Sequence, residues 1–81
     1  MIKIKEGVNY KEFYKYGFHR PESAKFLIKN VKLDRYWQHN IDYEIDLKTK
    51  IVTIYHFQGK FSPDSTLFDL MNAGLIEIVE E

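Results

Sequence analysis

Cysteine is absent from the 81-residue chain, proline occurs twice and glycine four times. Without cysteine there is neither a disulfide nor a thiolate zinc site to staple a small core. The glycines, Gly7, Gly17, Gly59 and Gly74, stand alone, so no glycine-rich loop exists to cradle a phosphate. No apolar run nears the roughly 18–20 residues that span a bilayer. The opening "MIKIKEGVN" alternates charged with apolar residues and lacks the apolar centre of a signal peptide. The expectation is a soluble protein of a reducing cytoplasm, with no membrane partner. Linkers, repeats and low-complexity stretches are missing too, which predicts a single domain over residues 1–81.

What the chain does have is rings and charge. A domain of this size buries only about 60–65% of the surface its unfolded form exposes, so its core is thin. Six Tyr, six Phe and one Trp can thicken it, since each ring buries about 150–250 Å². Net charge is zero, but it is unevenly spread. Residues 1–35 carry nine Lys/Arg against four Asp/Glu, and residues 36–81 carry three against eight. The halves either interleave and neutralise each other in one sheet, or give the molecule a basic and an acidic face. The second case suits a charged partner or head-to-tail self-association, and a homodimer is permitted without being required.

Periodicity divides the chain into short elements. "MIKIK" alternates and predicts a strand. "NYKEFYKYG" predicts a helix, with Asn9 as cap, Glu12 as its capping-box partner and Gly17 as the left-handed stop. An α-helical spacing puts Tyr10, Phe13 and Tyr14 on one face, with Lys11 and Lys15 on another. "HRPES" turns, and "AKFLIKNVKL" predicts a strand with Lys25, Leu27, Lys29 and Val31 pointing one way, Phe26 and Ile28 the other. "DRYWQHN" reads as a short strand or as strand and turn. "IDYEID" predicts a strand with Ile41, Tyr43 and Ile45 inward and Asp42, Glu44 and Asp46 outward. "IVTIYHF" returns after a turn.

If Leu47 to Lys50 form a four-residue loop, Ile45 faces Val52, Tyr43 faces Ile54 and Ile41 faces His56. A slip of one residue would set acids against these apolar partners. A second helix over "SPDSTLFDLMNAGL" is capped by Ser62 or Ser65 and ended by Gly74, and "IEIVEE" is a last strand. The fold class is α+β: a small, mainly antiparallel sheet in the order β-α-β-β-β-α-β, with two short helices.

No residue set demands an activity. Asp42, Glu44 and Asp46 share a strand face, but Ca²⁺ wants about six to eight oxygens from a shaped loop, so neither metal nor other cofactor is expected. His19, His39 and His56 lack metal-ligand spacing. His39 near Asp42 could act as an oriented base, yet no nucleophile accompanies it. The expectation is therefore a non-catalytic protein. Arg35, Tyr36, Trp37, Tyr55 and Phe57 are side-chain types favoured at protein contacts and form the candidate partner-binding set. The alternative is single-stranded nucleic acid, gripped by Lys25, Lys29 and Lys32 with Tyr36 as a stacking platform. Overall neutrality weighs against that alternative, because phosphate neutralisation dominates such binding.

Three blocks, "KEGVNYKEFYKYGF", "IDYEIDLKTKIVTIY" and "LFDLMNAGLIEIVEE", resemble stretches of small uncharacterised proteins encoded by phages and prophages of Gram-positive bacteria. The stretch between the first two blocks has no counterpart in that resemblance. It implies an accessory protein that binds a host or phage protein in the bacterial cytoplasm, and it carries over no site residues.

Overall fold

The computed structural model describes residues 1–32, 40–56 and 65–80, and of Asn40 and His56 the backbone alone. Along them run β1 (Ile2–Ile4), a 3₁₀ helix (Tyr10–Tyr16), β2 (Phe26–Lys32), β3 (Asn40–Asp46), β4 (Ile51–His56), α1 (Thr66–Asn72) and β5 (Ile76–Ile78). This is the α+β order that the sequence predicts. The strands make one sheet in the spatial order β2-β3-β4-β1-β5, and every pairing is antiparallel. The first strand thus lies between β4 and the last one.

The β3–β4 hairpin adopts the expected register, with Ile45 opposite Val52, Tyr43 opposite Ile54 and Ile41 opposite His56. Ile41, Tyr43, Ile45 and Val52 are buried, so the apolar set of both strands meets on one face. Asp46 fixes the turn. Its carboxylate accepts from the Lys48 N–H at 2.8 Å and the Thr49 N–H at 2.9 Å, an Asx turn. Lys50, at φ +68°, then turns the chain back, and its N–H donates to the Asp46 carbonyl at 2.8 Å.

The first helix differs from expectation in pitch. Asn9 does cap it, its side-chain oxygen accepting from the Lys11 N–H at 2.9 Å. The segment winds as a 3₁₀ helix, however, whose period of three aligns Tyr10, Phe13 and Tyr16. Phe13 is wholly buried, and Tyr10 and Tyr16 pack against the core. Tyr14, which an α-helical spacing places on that face, is 43% exposed. The same period stacks Glu12 on Lys15 at 2.8 Å, so the Glu12 carboxylate serves this pair in place of a capping box.

Both helices end in the same device. Gly17 (φ +90°) and Gly74 (φ +74°) take the left-handed conformation. The Gly17 N–H donates to Tyr14 and the Phe18 N–H to Phe13; the Gly74 N–H donates to Met71 and the Leu75 N–H to Leu70. These are Schellman closures. At the first, Phe18 meets Phe13 edge to face, with ring centroids 5.8 Å apart. Phe18 continues to Tyr43 at 6.3 Å, which ties the helix to the middle of β3. Leu27, Leu70, Ile4 and Ile76 complete the core on this face. No helix among the described residues is long and apolar enough to cross a membrane.

Two substitutions test this packing. Tyr16→Ala should cost about 1–2 kcal/mol more than Tyr14→Ala in urea unfolding, since only Tyr16 leaves a gap against the core; an α-helical pitch would reverse the order. Gly17→Ala should cost about 1–2 kcal/mol, the penalty for a Cβ in the left-handed region, measured in the same way.

Candidate functional site

Only one face of the sheet is covered by the two helices. Alternation carries the other side chains of each strand to the opposite, outer face, where the register sets them in rows. One row runs Phe26, Asp46, Ile51, Lys3, Glu77 across all five strands, and the next runs Ile28, Glu44, Thr53. A third runs Asn30, Asp42, Tyr55. None of these side chains belongs to the buried core. Phe26, Ile28 and Ile51 are half-buried, and Tyr55 is 53% exposed.

Between β2 and β4 this face sinks into an open groove of about 510 Å³, lined by Ile28, Asn30, Asp42, Glu44 and Tyr55 with Lys29 and Tyr43 beneath. Tyr55 and Asp42 are direct cross-strand partners, so ring and carboxylate stand side by side. The Asn30 carboxamide donates to the Asp42 carboxylate and holds it in place. Glu44 is half-buried beside Ile28 and Thr53. An aromatic ring, an aliphatic side chain and two carboxylates suit non-covalent contact with another molecule. Among the described residues, no group of three or more His, Asp or Glu side chains could hold a metal ion.

The three acids of β3 all point outward as the sequence predicts, but they do different things. Asp46 is a turn residue, and the Thr49 and Lys48 N–H groups hold its carboxyl below the usual carboxylate value. Asp42 is tied to Asn30. Glu44 is the cross-strand partner of Ile28 in the groove.

The lysines proposed to grip nucleic acid do not form one ridge. Lys25 and Lys32 are exposed, whereas Lys29 points to the helix-covered face. Its ammonium donates to Thr66 Oγ1 at 2.8 Å and lies 6.0 Å from the centre of the Phe18 ring. Its stem passes beneath Gly17, where a Cβ would meet Lys29 Cε at 3.1 Å. Thr66, the first residue of α1, is buried, so Lys29 ties β2 to both helical segments. The sequence reading places Lys29 on the Leu27 side of β2 but takes its charge as a surface feature.

Of the five residues expected to bind a partner, Tyr55 lies on the outer face as an exposed ring. Arg35, Tyr36, Trp37 and Phe57 lie outside the described residues, as does His39. Sequence reasoning missed Ile28 and Asn30 as groove residues. Their signal was the alternation of β2, which puts Phe26, Ile28 and Asn30 opposite Leu27.

Asp46 gives this region a pH signature. Its carboxyl ionises more readily in the folded chain than at its ordinary value of 3.8. Its contribution to stability is therefore complete above that value and is lost as pH falls through the lower folded value. Asp46→Asn should flatten the fall in melting temperature between neutral pH and about pH 3; an unchanged pH profile would remove Asp46 as its source. Comparison of the chain with protein families, curated proteins and solved structures gives no match.

Proposed function

We propose that this chain is a small non-catalytic binding protein that engages another protein through the open outer face of its sheet. The observation that carries this reading is the groove beside Tyr55, an exposed ring among Ile28, Asp42 and Glu44 on a face that neither helix covers. Tyr is among the residue types that anchor protein contacts, and flanking carboxylates supply orientation and rejection of wrong partners. Catalysis finds less support: Asp46 is committed to a turn and Asp42 to an amide. The nucleic-acid reading loses Lys29 to the helix-covered face and would set a phosphate chain near three carboxylates. The resemblance to phage-encoded accessory proteins supports the same class of function, a cytoplasmic protein acting on a host or phage protein.

A tagged copy exposed to bacterial lysate, with and without nuclease, tests the reading. The expected result is a protein retained in both conditions and lost with Tyr55→Ala, while the variant's melting temperature stays within about 2 °C of the parent, as for an exposed substitution. Retention that disappears with nuclease would move the function to nucleic acid. Retention unaffected by Tyr55→Ala would remove the outer face as the contact.

A further inference from the structure

The outer face is divided by charge about its central strand. On one side of β4 lies β3, with Asp42, Glu44 and Asp46; on the other lies β1, whose outward residue is Lys3. Just past the end of β1, Lys5 and the turn residue Lys50 line a second open groove with Lys3, Glu6 and Glu77. Phe26 and Ile28 lie on the acidic side, Val79 lines the basic side, and Ile51, Thr53 and Tyr55 run down the middle. A surface with opposite charge on the two sides of a central line is complementary to a copy of itself.

From this layout we infer that the occupant of the outer face is a second copy of this chain, packed face to face about a two-fold axis parallel to β4. This rests on the reading of that face as a protein-contact surface and names its partner. Rotation about such an axis lays β3 of each copy over β1 of the other, and β4 over β4. Lys3 of each copy then meets the acidic strand of the other, once on each side. An axis across the strands would instead put β3 over β3, acid on acid, so charge selects between the two symmetric arrangements.

The rows fix the contacts. Lys3 neighbours Ile51, and Asp46 neighbours Ile51 from the other side through the hairpin register. Lys3 of the second copy therefore comes down in the Asp46 row, within a lysine's reach of Glu44 one row on. Within its own chain Lys3 faces Glu77 across the β1–β5 ladder, so Glu77 competes for the same ammonium. Ile51, Thr53 and Tyr55 meet their own counterparts near the axis. Sheets packed in this way sit about 10 Å apart, a gap that these side chains fill.

Size is consistent with a modest contact. With strands about 4.8 Å and rows about 7 Å apart, the first row of five residues and the next two of three span roughly 370 Å² per copy, or about 750 Å² for the pair. That lies below the roughly 1,000 Å² of a stable specific interface, so the dimer should be weak and dissociate on dilution.

Sedimentation equilibrium over micromolar to millimolar chain concentration tests the inference on the intact protein. The parent should pass from monomer to dimer across that range. Lys3→Glu and Glu44→Lys should each weaken the dimer at least about tenfold, one lost charge pair per copy. The double variant, which exchanges the charges of the Lys3–Glu44 contact while Asp46 stays acidic, should recover part of that loss. Thr53→Arg, which sets two arginines together near the axis, should abolish the dimer and serves if either charge reversal disturbs folding, as judged by circular dichroism. A parent monomeric throughout, or a double variant no better than the singles, overturns the inference. If that monomer still retains an unrelated protein in a Tyr55-dependent manner, the binding function stands and only the second copy is wrong as occupant.

Discussion

The edge-to-face run from Phe13 through Phe18 to Tyr43 is the contact on which the rest of the structure depends. It joins three things that a thin core must secure at once. Phe13 is the buried residue of the 3₁₀ helix, Phe18 is the residue after its glycine stop, and Tyr43 is the centre of β3. A chain with no cysteine has no covalent closure to fall back on, and three interlocked rings bury much of the area available to a domain this small. The helix closure and the sheet contact are therefore one event, because the Phe18 ring that seals the turn is the ring that reaches the sheet.

Lys29 is the second constraint. With its stem under Gly17 and its ammonium between Thr66 and the Phe18 ring, it links β2 to the first turn of α1. An ammonium keeps most of its charge-solvating partners only at a boundary, and here a hydroxyl and an aromatic face stand in for water. Together the rings and the lysine concentrate cohesion on one side of the sheet. The other side is left with short rows of mixed aliphatic, aromatic and charged side chains.

Legibility followed the range of the interaction. The β3–β4 hairpin could be read to the residue, because the alternation of "IDYEID" and "IVTIY" leaves a single register with the apolar sets together. Gly17 and Gly74 were legible as stops because few other residues tolerate that backbone. The pitch of the first helix was not, since "YKEFYKY" offers aromatics at spacings of both three and four, and the choice is made by the core the helix meets. Lys29 was misread as a surface charge because nothing local marks a lysine whose partner, Thr66, lies 37 residues away. Of the candidate contact residues, Tyr55 could be placed on an open face only once the side that the helices cover was known.

The strand order carries a consequence for how the chain assembles. β1 lies between β4 and β5, so residues near position 2 pair with residues near 52 and 78. The β2–β3–β4 meander is built from neighbours in sequence and is cheap to close, whereas each pairing of β1 must close a loop of most of the chain. On a ribosome the meander emerges complete while β1 still lacks one flank, and Ile4, a core residue paired with Ile76, must wait for the last strand. Synthesis and folding are thus out of step at β1, which is made before both of its partners and paired in full only after the later of them.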